Sequence, residues 1–164
     1  MPASTTTIQQ DIKQTKPFRS RSQEAYVALL RTADDSKRFL SHKLDTEDVT
    51  LQQYNVLRIL RGAGDGGLPT LSVAERMVER TPGVTRLIDR MERKEWVTRE
   101  RCSKDRRRVW CMITEVGLSL LDRLDASVDA IDDALASALT EKELGILIDH
   151  LDRIRARFAE VEKV

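Results

Sequence analysis

The stretch Thr81-Pro82-Gly83-Val84-Thr85-Arg86-Leu87-Ile88-Asp89-Arg90-Met91-Glu92 decides the reading of this chain. Val84, Leu87, Ile88 and Met91 recur at spacings of three and four, which puts one apolar stripe on a helix. The opposite face carries Thr85, Arg86, Asp89 and Arg90. Thr81 suits an N-cap and Pro82 the first helical position, where a missing N–H costs nothing. The expected helix therefore runs from Pro82 to about Lys94. Pro82 and Gly83 are small enough to let its N-terminus approach another surface closely.

Upstream, Leu71, Ala74, Met77 and Val78 suggest a short helix over residues 71–78, capped by Thr70 and facing its apolar side inward. Before it, Gly62, Gly64, Gly66 and Gly67 gather four of the seven glycines in six residues, which ends a helix begun near Thr50. This cluster lacks the Gly-Lys-Ser/Thr ending of a phosphate loop and reads as a turn. Downstream, Val97–Cys102 and Val109–Ile113 read as strands of a hairpin, with the charged tip Ser103-Lys104-Asp105-Arg106-Arg107-Arg108 between them. A short helix, a tight turn, a basic helix and a hairpin make a winged helix-turn-helix, whose second helix enters the major groove.

Charge supports that reading. Residues 76–110 hold twelve cations against six acids, whereas residues 114–164 hold six cations against twelve acids, in a chain of net charge +1. One segment is suited to approach an anion and another is not. Arg86 and Arg90 lie on one face and can reach guanine or phosphate, and Thr85 can touch a base edge. At the hairpin tip the single Asp105 cannot neutralise three consecutive arginines. Arg106 and Arg107 then suit the narrow minor groove, with Asp105 orienting the loop.

The flanks complete the outline. Residues 1–18, polar and Thr/Gln-rich, are expected to form a flexible arm before one domain over residues 19–162. Within it, residues 50–113 form the DNA-binding lobe, and residues 20–45 and 114–162 form dimerisation helices. Tyr26, Leu29, Leu30, Ala33 and Leu40 stripe the first helix. Leu121, Leu124, Val128, Ile131, Leu135 and Ala138 keep the seam spacing of a coiled coil in the fifth. Thr140 and Glu143 form a capping box for the sixth, whose stripe is Leu144, Leu147, Leu151, Ile154, Phe158 and Val161. One small domain offers too little surface to cover all three stripes, so a second copy is expected to do so. The architecture is mainly α, six helices with a small β-hairpin wing.

These residues also resemble a known family. Ala74-Glu75-Arg76-Met77, the Thr81–Glu92 run, Asp105-Arg106-Arg107 and Ile113-Thr114-Glu115-Val116-Gly117 together look like the MarR family (multiple antibiotic resistance regulators), in the family's order over residues 20–160. The resemblance implies a homodimer with recognition helices in successive major grooves, wing arginines in flanking minor grooves and a pseudo-palindromic double-stranded DNA operator. It also implies repression relieved by a small-molecule effector whose identity is open. The DNA-contacting residues it marks are Thr81, Pro82, Gly83, Thr85, Arg86, Arg90, Asp105, Arg106 and Arg107. Two positions depart from the pattern. Glu95-Trp96 stands where the family has Gly-Leu, so a left-handed Glu95 would bear about 1 kcal/mol of strain, with Trp96 as a core anchor beneath the wing.

Other chemistry finds little support. With a 103–108 loop, Cys102 would face Val109 and lie diagonal to Cys111, roughly 7–8 Å away and long for a disulfide. A redox-responsive regulator acting through Cys102 is one alternative, and a winged-helix module docking an acidic protein partner is another. His42 and His150 are isolated, no zinc spacing occurs, and no hydrolase or metalloprotease motif is present. No enzyme, metal or cofactor is indicated. No run approaches the roughly 20 apolar residues that span a bilayer, and a secretory signal is lacking, so a cytoplasmic protein is expected.

Overall fold

The structure, a computed structural model, describes residues 6–79, 82–101 and 109–162. It contains two compact units, Met1–Leu121 and Asp122–Val164.

In the first unit a short helix α1 (Ile8–Asp11) precedes the long α2 (Arg21–Leu44), α3 (Leu51–Ala63), α4 (Thr70–Arg76) and α5 (Val84–Arg93). Strands β1 (Leu68–Pro69), β2 (Val97–Arg101) and β3 (Val109–Ile113) form an antiparallel sheet in the order β1-β3-β2. The beginning of α6 (Glu115–Ala138) closes the unit. The second unit holds the rest of α6 and α7 (Glu141–Val161). The fold is thus mainly α with a small sheet, as expected. Among the described residues there are seven α-helices rather than six.

The additional helix lies within the supposed arm. Thr7 caps α1 in a reciprocal capping box with Gln10, and Asp11 pairs with Arg31 of α2 at 2.8 Å. Low apolar content hides a local capping signal and a partner 20 residues away, through which residues 8–11 contact α2.

Several boundaries follow from their caps. Ser20 caps α2, and Thr50 with Gln53 boxes the start of α3. The core is built from Leu44, Val56, Leu57, Leu60, Val73, Ile88, Met91, Val97, Cys111, Leu120 and Leu121, each essentially inaccessible to solvent. Gly67 lets β1 reach β3. Its φ is +58°, and a Cβ there would stand 2.4 Å from the Cys111 carbonyl oxygen.

Helix α4 corrects two expectations. It starts at Thr70 with Pro69 in the cap position, while the Thr70 hydroxyl donates to the Val109 carbonyl at 3.3 Å. It ends at Arg76, because Met77 is extended and the Val78 N–H donates to Asn55 Oδ1 at 2.9 Å. That bond turns Val78 outward, and Leu71 faces solvent too, at 85% and 71% exposure. Neither belongs to the core.

Candidate nucleic-acid interface

Helix α5 forms where the apolar spacing demands, with Val84, Leu87, Ile88 and Met91 buried. It begins two residues later than expected. Gly83, at φ +91°, occupies the cap position expected for Thr81, and no side chain caps the helix. A left-handed cap without a side chain favours glycine and leaves first-turn N–H groups available to a ligand. Pro82, Gly83, Thr85, Arg86 and Arg90 are all exposed. Neither Arg86 nor Arg90 has an ion pair among the described residues. Thr81 and the tip residues Asp105, Arg106 and Arg107 lie outside the described residues.

Between α5 and the wing stands an ordered turn. The Trp96 N–H donates to the Met91 carbonyl at 3.0 Å and the Glu95 N–H to the Glu92 carbonyl at 2.9 Å. This is a Schellman closure with glutamate at the position glycine normally fills. Glu95 has φ +60°, as its departure from the family pattern suggests. Thr114 steadies it by donating from Oγ1 to the Glu95 carbonyl at 2.6 Å. Trp96 is buried, as expected, with the Lys94 ammonium 4.5 Å above its ring. Lys94 also pairs with Asp48 at 2.8 Å, a hydrogen bond that holds the Asp48 carboxyl below its ordinary range.

The hairpin register pairs Arg101 with Val109 and Arg99 with Cys111. Val109 therefore does not face Cys102, which lies outside the described residues. The expected alignment is off by one, because β2 pairs through Arg101 at this end. Cys111 is fully buried, and desolvation pushes its thiol up to about 11. At pH 8 only about one such thiol in a thousand is ionised. In a Cys102→Ser variant, a thiol reagent should therefore modify the native protein no faster than it unfolds. Rapid labelling at pH 8 would refute the buried, protonated state. Because the folded form retains this proton, Cys111 stabilises the fold below the ordinary thiol pKa. That contribution fades as pH rises toward 11.

The contacts that join these parts are not evident from sequence. Arg99 of β2 reaches Asp89 and Glu92 of α5, at 2.7 and 2.6 Å. The acids' three-residue spacing and the strand's alternation are legible, but their pairing is not. A groove of about 710 Å³ opens beside them, lined in part by Leu71, Ser72, Gly83, Thr85 and Arg99. Beyond α4, Lys37 of α2 pairs with Glu79 at 2.5 Å, and Gln52 donates to the same carboxylate. No cluster suited to a metal ion occurs among the described residues.

A sequence profile of the MarR family matches residues 49–109. The transcriptional repressor MdtR of Bacillus subtilis is 31% identical over 120 residues, 73% of this chain and 76% of MdtR. A MarR transcription factor from Planctomyces limnophilus is 36% identical, covering 83% of this chain and 98% of that structure, with a TM-score of 0.64. This chain belongs to the MarR family. The S. aureus MepR–DNA complex shares 27% identity with this MarR-family protein, covering 80% of it and 97% of MepR, with a TM-score of 0.73. The winged helix-turn-helix read from the sequence is the fold of this family. No helix among the described residues is long and apolar enough to cross a membrane.

Proposed function

We propose that this protein is a homodimeric transcriptional repressor that binds a pseudo-palindromic operator and is released by a small-molecule effector. One observation carries the reading: α5 shows Thr85, Arg86 and Arg90 to solvent, with both arginines free of acid partners among the described residues. Arginine left unpaired beside a glycine cap is arranged for an anionic surface. In this reading α5 lies in the major groove. Thr81, Pro82 and Gly83 bring its N-terminus near phosphate, and Thr85 and Arg86 meet base edges. Arg106 and Arg107, oriented by Asp105, take the minor groove. Residues 50–113 act as the DNA-binding lobe, and residues 20–45 and 114–162 as the dimerisation helices. The protein acts in the cytoplasm, without catalysis. A structural relative of 27% identity bound to DNA supports the assignment.

Selection from a random duplex library tests it. The parent should enrich a palindrome with half-sites about 34 Å apart. Arg86→Ala should cost about 1–3 kcal/mol and relax one base position, whereas Arg107→Ala should weaken all sequences and lower the salt slope by about one. Enrichment of no sequence would overturn the reading in favour of a protein-docking module.

A further inference from the structure

We propose that Arg99 is a positioning residue that fixes the wing against the recognition helix and so governs operator affinity without contacting DNA. The inference rests on the DNA-binding reading above.

Arg99 stands in the middle of β2, opposite Cys111. Its guanidinium crosses to α5, where Nη1 meets Asp89 Oδ1 at 2.7 Å. Nη2 and Nε both meet Glu92 Oε2, at 2.6 and 3.1 Å. Asp89 and Glu92 are one helical turn apart, so a single planar fork holds two successive carboxylates on one face. A flexible ammonium would hold one at a time. These contacts, with the Glu92 hydrogen bond foremost, raise the Arg99 pKa above its ordinary value.

The covalent link between α5 and β2 is short and contains the left-handed Glu95. The base of the hairpin is held by the pairing of β3 with β1 and by the Thr114 bond to Glu95. Arg99 adds a direct tie from β2 to the face of α5 that carries Asp89 and Glu92, three residues beyond Trp96. It also lines the groove that contains Gly83 and Thr85, so its position sets how the wing strand stands beside the helix N-terminus.

Electrostatics argues against a direct phosphate contact. The cluster sets two carboxylates against one guanidinium, a net negative charge within a surface that otherwise suits a polyanion. Such acids oppose DNA binding unless the geometry they enforce matters more. Partly exposed ion pairs also contribute little to global stability, so the fold should survive their loss. Arg99, Asp89 and Glu92 are 25%, 40% and 37% exposed.

The experiment measures affinity for the selected operator across a salt series. Arg99→Met should bind about tenfold more weakly or worse. Its salt slope should be unchanged and its unfolding midpoint within about 3 °C of the parent. A second variant, Asp89→Ala/Glu92→Ala, removes two negative charges and improves helix propensity. Field effects alone predict tighter binding, whereas the positioning role predicts weaker binding. In an Arg106→Ala/Arg107→Ala background, Arg99→Met should cost less than about twofold, because its effect runs through the wing. Parent-like affinity of Arg99→Met, a salt slope lower by about one, tighter binding by the acid-deleted variant or an undiminished loss without wing arginines would each overturn the inference. Failure of the parent to select any operator would instead remove the functional reading beneath it.

Discussion

Changing Gly117 to alanine should destabilise the protein by about 2 kcal/mol or more, although alanine is the better helix former. Gly117 lies in the first turn of α6, where helix propensity alone favours alanine by about 0.5–1 kcal/mol. A Cβ there would stand 2.3 Å from the Trp96 carbonyl oxygen and 2.8 Å from Ile113 Cγ1. The isoleucine side chain can shift, but the carbonyl is held. It accepts from the Thr114 N–H at 3.1 Å, and the Gly117 N–H donates to Thr114 Oγ1 at 3.1 Å. The same threonine steadies the left-handed Glu95. Crowding at Gly117 therefore strains the joint that sets α5, the wing and the start of α6 together. Gly62 provides the contrast. It lies in α3, where an added Cβ would meet nothing within 4 Å, so Gly62→Ala should gain about 0.5 kcal/mol. Urea unfolding of both variants checks the pair. A parent-like midpoint for Gly117→Ala would mean that the carbonyl yields, and the contact does not explain the glycine.

This joint also shows what local sequence can convey. The Ile113-Thr114-Glu115-Val116-Gly117 run is recognisable as a motif, and Glu95 as a candidate left-handed residue. That the two belong to one knot is a tertiary fact, since the Thr114 hydroxyl and the Glu95 carbonyl lie 19 residues apart. Helix α5 is legible because its amphipathic period is unbroken over ten residues and its buried set follows directly. Its start is less so, because Pro82 favours a helical start while Gly83 adopts a cap conformation that proline preference does not reveal. Helix α4 has seven residues, too few for a period to discriminate between faces, which is why Leu71 and Val78 read as inward-facing and are not. The strand β1 is two residues long and owes its existence to pairing with β3 rather than to any local pattern. The Arg99 clamp is hidden for a similar reason. Each charge is visible, but a solvated charged face and a cross-element fork look alike until strand and helix are placed side by side.

The largest functional effect should come from placing charge on the apolar stripe of α7. Replacing Ile154 and Phe158 with glutamate should yield a monomer, with operator affinity lowered by roughly a hundredfold or more. No residue of α7 is buried in the single chain. Leu147, Ile154, Phe158 and Val161 remain 38–58% exposed along the stripe. On α2, Tyr26 and Leu30, one turn apart, are exposed as well, at 51% and 53%. Scattered apolar side chains are ordinary on a surface, but stripes that keep helical spacing are characteristic of an interface awaiting its partner. Burying two carboxylates without counter-charges would cost several kcal/mol per copy, and a symmetric interface doubles the cost. The DNA penalty follows from linkage. Two joined recognition helices engage two half-sites with an effective concentration that a lone protomer lacks, so losing the partner removes that advantage without altering any contact to bases. Light scattering reads the oligomeric state, and a half-site duplex separates the two effects. The variant should bind a half-site like one protomer of the parent while failing on the full operator. A variant that stays dimeric would place the interface elsewhere, and a monomer with parental operator affinity would show that pairing of the chains is not what joins the two half-sites.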